Sequence, residues 1–441
     1  MARFVSLAHY AGSIAALVAT LALIFGRSRP PSWARGLAWL ALAAFALSAG
    51  GIAASLPAGT FDFSAFCESG REVLAGRDPI DLMQTSILPP LNPPTAFPLF
   101  AAFATGPIAT TFAIWVAISA LMALALVPLA WWALATDDAS TRQIPISGIL
   151  ILAALVALSN ATRACLGSGQ LSIATAFAIV VALLAQSKGR GVLAGTWLAI
   201  ATIKIGTMVP FLLLFRRRND RAAWLAMIVV TAAICLTTGQ ARETPARVGR
   251  WLQGIARMSA PGTANDFTYA APDNGDMIGL DHAFYRAGLK SRSSAKRAQF
   301  VVMGIIGAFV AWQVLGRSDI SEGAKRSFVA LFAMLFLYHR LSDAVILAIP
   351  LIHATGRARA SVGRPRWLFA ASALAILPIL FMQRGLMKTL REIAERGGSI
   401  GRMIEIAVLP YACWCLIAAL VLLALGEQFA RIDRAGAAPV R

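Results

Sequence analysis

The stretch YHRLSDAVIL, Tyr338 to Leu347, sets His339, Arg340 and Asp343 within a few residues of one another between strongly apolar segments. A charge at the centre of a membrane span costs about 2.5–3.5 kcal/mol, so such groups either pair with one another or hold something. Arg340 could simply pair with Asp343 one helical turn away. Lys204 raises the same question inside another apolar run: it is a candidate for function, or a side chain that snorkels to the interface. Earlier, FDFSAFCESGREVLAGRDPIDL begins with Asp62, which is either an ordinary helix-start aspartate or a proton acceptor. In TRACLGSGQLS, Gly167, Gly169 and Gln170 form a tight turn whose amides could hold a phosphate or sugar, or which is only a turn. Arg163 stands beside it, and LPPLNPPTAFP presents Asn92 on a path that its prolines make rigid and extended. Together these groups offer a carboxylate to take a proton, cations to stabilise an anion, and amides to orient a ligand.

The elements that must position them are membrane helices. The chain has 441 residues, 58% hydrophobic and 14% charged. Soluble domains run at about 45–50% and 25%. The apolar residues fall in blocks of about twenty, the length that crosses the hydrocarbon core as a helix with its backbone satisfied internally. The formal charge of +19 suits basic loops against anionic headgroups, not nucleic acid, because no basic segment stands apart from the spans. Five scattered cysteines and four scattered histidines give no disulfide framework and no metal-ligand spacing, and no metal or other cofactor is expected. The first apolar run lacks a small-residue cleavage site and reads as a retained span.

The expected fold is all-α, a polytopic bundle of about 11–13 spans in a single integral membrane domain covering residues 1–441. Full spans are expected near 6–25, 37–56, 112–134, 146–161, 170–187, 222–239, 299–316, 327–341, 343–356, 367–383 and 403–425. Residues 192–215 are apolar but have basic flanks on both sides, SKGRG and RRRNDR. A single crossing cannot place both flanks in the cytoplasm, so a re-entrant hairpin with Lys204 near its apex is expected. Basic connections then mark the cytoplasmic side, leaving 57–111, 240–298 and 384–402 outside. Within them, ARETPARVGRWLQGIARM and KTLREIAERGG have the alternation of helices lying in the interface.

The ordered set DFSAF…G…DP, the proline-rich turn, GQLSIATAFAIVVALL, GVLAGTWLAIATIKIGTMVPFLLLFRRR and YHRLSDAVILAIPL resembles glycosyltransferase family 87 over about residues 60–355. This is a family of membrane glycosyltransferases of the C-type superfamily that use polyprenol-phosphate sugars. The chain has DPID where the family commonly has an aromatic after its first glycine, and Asn92 where it has a tyrosine near its prolines.

The resemblance implies transfer of a mannose-like hexose from a polyprenyl-phosphate donor to a lipid-linked or glycan acceptor of the cell envelope. It implies a multi-pass protein of the cell inner (plasma) membrane, with its site on the extracytoplasmic side and lipids as its surroundings. Asp62 matches the family's acidic residue and would be the general base. Asn92, Arg163, Gln170, Lys204, His339, Arg340 and Asp343 would bind substrate, and no metal would be involved. Two rivals remain from the residues themselves. A transporter or flippase of lipid-linked sugars would place charges near the midplane and show internal repeats. An O-antigen polymerase or ligase would use an arginine-rich outer loop, and 240–298 carries Arg242, Arg247, Arg250, Arg257 and His282.

Overall fold

The computed structural model describes residues 2–26, 29–55, 61–82, 91–237, 244–263, 265–268, 270, 277–337, 339–381 and 383–436. It is a helical bundle, as the apolar blocks require. α1 (Ala2–Phe25) and α2 (Ser32–Ala54) pack together along their length. The amphipathic α3 (Phe61–Leu74) follows, then the short α4 (Phe97–Phe103) and the long α5 (Ile108–Asp137). α6 (Ile146–Ala157) and α7 (Asn160–Ser168) are an apolar helix pair bent by 51° at a short break. At the break, the Ser159 hydroxyl accepts from the Thr162 N–H at 3.1 Å and restarts the helix. α8 (Ser172–Ser187) descends from the turn that follows.

Among the described residues, seven helical segments are long and apolar enough to cross a membrane by length and composition, Gly191–Leu214 included, or nine if each bent pair counts as one span. The count is lower than the 11–13 read from the sequence because some expected spans are short helices. α8 and α10 (Arg221–Leu236) have 16 residues each, and α14 (Glu322–Leu335) has 14, against the roughly 20 that span hydrocarbon. Their positions are those of the apolar blocks. The expected interfacial segments are also helical, α11 (Thr244–Met258) and α17 (Arg384–Glu395). Arg242 and Tyr338 lie outside the described residues.

Residues 191–214 are continuous in helical structure, starting with α9 (Gly191–Ala201), yet they double back. Gly191 packs against Asn219 and Ala222, and Gly195 against Ala223 and Ala226, so α9 and α10 run parallel from the same end. A Cβ on Gly195 would lie 2.0 Å from the Ala223 carbonyl oxygen; only glycine permits this approach. The middle of the segment reaches the opposite end of α8, where the Lys204 ammonium donates to Ser172 Oγ at 2.8 Å. Its far end has returned, because Gln186 Nε2 donates to the Leu214 carbonyl at 2.9 Å. Ser172 and Gln186 are separated by about 21 Å of helix, and the chain covers that distance up and back. The hairpin read from the two basic flanks is the path the chain takes, with Lys204 at its apex.

The second half contributes α12 (Leu280–Ala287), α13 (Arg292–Ala311), α14, α15 (Ala348–Ala360), α16 (Gly363–Leu380) and α18 (Tyr411–Gly436). A tight helical run, Leu341–Leu347, leads into α15. A two-stranded antiparallel ladder joins β1 (Met277–Ile278) to β2 (His339–Arg340), pairing Met277 with Arg340 and Ile278 with His339. The segment between α11 and α13 is thereby tied to the chain that enters α15.

Candidate functional site

Asp343 is the centre of the arrangement. Its side chain is buried, and four donors converge on the carboxylate. Oδ1 accepts from the Lys204 ammonium and from Ser172 Oγ at 2.6 Å. Oδ2 accepts from His339 Nδ1 at 3.1 Å and from the Arg340 N–H at 3.3 Å. The other His339 nitrogen, Nε2, lies 3.0 Å from the Phe336 carbonyl oxygen. Both imidazole nitrogens therefore face acceptors. The Lys204 side chain keeps 23% of its surface exposed, so part of the ammonium is presented to whatever enters.

Local structure forces these groups together. Leu337 has φ +65° and is the described non-glycine residue in the left-handed region, a conformation costing about 1–2 kcal/mol. It turns the chain out of α14 into β2, and strain of this kind tends to sit beside functional groups. Lys204 is fixed from the other side. Asn92 Nδ2 donates to the Ile203 carbonyl at 3.0 Å, so the proline-rich segment holds the hairpin apex. Asn92 acts on the backbone beside Lys204.

The turn at Gly169 supplies Ser172 and connects the cluster to α3. Gly169 has φ +73°, and a Cβ there would lie 2.7 Å from Phe63 Cβ. Its carbonyl accepts from Trp115 Nε1 at 3.0 Å. Phe63 is fully buried against Phe103 and Phe112, and its neighbour Asp62 lies in the first turn of α3. Asp62 is therefore at the same end as Ser172, Lys204, His339 and Asp343. It is partly exposed, and no described cation pairs with its carboxylate. Gln170 is also partly exposed, with its backbone fixed by Cys165: the Gln170 N–H donates to the Cys165 carbonyl at 2.9 Å, and Cys165 Sγ donates to the Gln170 carbonyl at 3.1 Å.

Arg163 is placed elsewhere. It lies on α7 but turns toward α1, donating to Ser6 Oγ at 3.2 Å with its guanidinium 5.5 Å from the Tyr10 ring centre. The arginines of α11 are likewise engaged: Arg247 and Arg250 both bind Asp78, at 3.1 and 2.7 Å. Burial opposes ionisation of Asp78, but the hydrogen bonds from Arg247 and Arg250 hold its carboxyl below the usual range. His282 on α12 is held down to about 3 by burial and by Arg286, whose Nε donates to its Nε2 at 3.2 Å. It is a neutral acceptor, unsuited to stabilising an anion.

Three features escaped the reading of the sequence. Ser172 joins the cluster from the quoted GQLS stretch, where a serine opening a helix gives no sign of a partner 171 residues away. The β1–β2 pairing had no signal, because two residues make no periodicity. At the opposite end of the bundle, His353 is wholly buried with Nδ1 3.0 Å from Asp138 and Nε2 3.4 Å from Glu427, which Arg357 also contacts at 2.9 Å. Among the described residues no group of histidine, cysteine and carboxylate side chains is arranged to hold a metal.

Residues 91–337 match the sequence model of glycosyltransferase family 87. The chain belongs to this family. The match is narrower than the 60–355 suggested by the sequence motifs. It takes in Asn92, Arg163, Gln170, Ser172 and Lys204, and it stops short of Asp62 and of the His339–Asp343 stretch. No curated protein and no solved structure matches the chain. With its apolar helices, this member of glycosyltransferase family 87 is a multi-pass membrane glycosyltransferase, acting on a sugar donor and an acceptor.

Proposed function

We propose that this glycosyltransferase moves a mannose-like hexose from a polyprenyl-phosphate donor to a lipid-linked or glycan acceptor of the cell envelope, on the extracytoplasmic side of the inner membrane. The observation that carries the proposal is the buried cluster in which Lys204 and His339 meet Asp343, at the end of the bundle where Asp62 has no cation partner among the described residues. A lipid-anchored phosphate at headgroup depth meets the part-exposed Lys204 ammonium there in a partly dry setting, where electrostatic stabilisation is strong. The basic connections gather at the other end, around Arg142, Lys188, Arg217 and Arg357, and by loop charge that end is cytoplasmic.

The chemistry is a single displacement. An acceptor hydroxyl oxygen bonds to the anomeric carbon, and the bond from that carbon to the phosphate oxygen breaks with its electron pair going to the phosphate. Asp62 takes the hydroxyl proton. Lys204 and His339 stabilise the departing polyprenyl phosphate, which needs no acid, and Arg340 stands next to His339 on β2. One displacement inverts the centre, so a β-linked donor gives an α-linked product. Asp343 is committed to its four donors and suits positioning; Glu72 and Asp78 are paired with Arg77 and with Arg247 and Arg250. Asp62, part-exposed and without a cation partner among the described residues, is the carboxylate assigned the proton. The transporter alternative fits less well, because the buried charges gather at the two ends of the bundle.

The test is incubation of purified protein with a panel of polyprenyl-phosphate sugars and an envelope lipid extract, with free polyprenyl phosphate followed by mass spectrometry. Release should require an acceptor and should fall to background in Asp62→Asn at unchanged yield and melting temperature. Turnover by Asp62→Asn within tenfold of the parent would remove Asp62 from the mechanism.

A further inference from the structure

α5 carries Pro128 in its interior, where a helix loses one backbone hydrogen bond and opens locally. Beside that point, at the end of the bundle away from Asp343, lies a cavity of about 690 Å³ that opens sideways from between α2, α5 and α6. Its walls include Leu42, Leu124, Trp131, Trp132, Leu150 and Ala153. Its size is that of a ligand pocket, about 300–1,000 Å³, and hydrocarbon is what it would meet within a bilayer.

The rim of the groove carries basic groups. The Lys188 ammonium lies 5.0 Å from the centre of the Trp132 ring. Trp131 Nε1 donates to the Thr141 carbonyl at 3.0 Å, which brings the exposed Arg142 to the same mouth. Two carboxylates occur in this connection, and both are already taken. Asp137 pairs with Arg326 at 2.9 Å, and Asp138 accepts from Ser140 Oγ at 2.7 Å and faces His353. The rim is thus cationic, with an indole at headgroup level and an apolar slot beneath it. A basic pocket between membrane helices on this side is the setting in which anionic headgroups are recognised.

We propose that the groove is a binding site for one anionic phospholipid of the leaflet at the basic end, with an acyl chain between α2, α5 and α6 and its phosphate against Lys188 and Arg142. The site is separate from the transfer site, and the proposal does not depend on the identity of the sugar donor.

The experiment is native mass spectrometry of the purified full-length protein after exchange into mixed micelles holding equal amounts of phosphatidylglycerol and phosphatidylcholine with the same acyl chains. The parent protein should retain one phosphatidylglycerol in preference to phosphatidylcholine, on the order of 30-fold for two basic groups. Leu150→Trp, which fills the slot, should lose that bound lipid. The double variant Arg142→Glu/Lys188→Glu, altered only at exposed positions, should lose the preference. Equal retention of the two lipids by the parent overturns the proposal, as does undiminished preference in the charge-reversed protein. If Leu150→Trp does not fold, the charge-reversed variant decides alone. A retained isoprenoid in place of phospholipid would also overturn it.

Discussion

Replacing Lys204 with methionine leaves the buried Asp343 carboxylate with His339 and without its ammonium partner. Replacing Asp343 with asparagine leaves Lys204 and His339 facing each other with no negative charge between them. Breaking one side of a buried ion pair costs about 3–5 kcal/mol, because the remaining charge stays desolvated. The charge left behind sets the size: Lys204→Met strands Asp343, whose side chain is only 3% exposed, and belongs at the high end, about 5 kcal/mol, whereas Asp343→Asn leaves Lys204, 23% exposed, and belongs at the low end, about 3 kcal/mol. In Lys204→Met/Asp343→Asn neither charge of the pair is left stranded. The double variant should therefore be less destabilised than the sum of the singles, with a coupling of about 2 kcal/mol. The assay is a double-mutant cycle on equilibrium unfolding in mixed micelles titrated with a denaturing detergent, with tryptophan fluorescence as the signal. Transfer activity should fall in all three proteins whatever their stability, because Lys204 is lost or misplaced in each. Additive single effects, with coupling below about 0.5 kcal/mol, would mean that the two groups do not interact, and the cluster would not be the charged centre argued above.

Two more consequences can be checked directly. Gly169→Ala puts a Cβ 2.7 Å from Phe63 on a residue with φ +73°; it should cost about 1–3 kcal/mol and lower activity further by shifting Ser172, read as melting temperature and initial rate. The clasp between Asp78 and the arginines of α11 has a defined pH window. Arg247 and Arg250 hold the folded Asp78 carboxyl below its unfolded value even though burial pushes the other way. Its contribution is therefore fully present above about pH 4, the unfolded value, and is lost as pH falls through the lower folded value. The melting-temperature gap between the parent and Asp78→Asn should be constant from pH 5 to pH 8 and shrink below about pH 4; a gap that widens in acid would contradict the assignment.

How much of this was legible in the chain depends on the range of the interaction. The spans, the interfacial helices Thr244–Met258 and Arg384–Glu395, and the return of residues 191–214 all follow from local hydropathy and from basic residues at both flanks of one apolar run. The prominence of Lys204, His339 and Asp343 was legible too, because a charge in an apolar setting is costly wherever the partner lies. The identity of the partners was not. Asp343 could have paired with Arg340 through the spacing of one turn; its carboxylate instead takes the Arg340 N–H, while the ammonium comes from Lys204, 139 residues away. Arg163 and Lys204 look equivalent as isolated cations, yet one faces Ser6 and Tyr10 and the other faces Asp343.

By itself the amino-acid sequence determined that this is a membrane bundle, where its helices lie, and which residues are too polar to sit in lipid unpartnered. Hydrocarbon is a nearly uniform solvent, so each residue's cost of insertion can be summed along the chain without knowing its neighbours. Tertiary structure decided which of those polar residues meet, through the bend at Ser159, the close packing at Gly169 and Gly195, and the ladder that pairs Ile278 with His339. Such meetings depend on how helices pack side by side, and that geometry is shared among residues far apart in the chain.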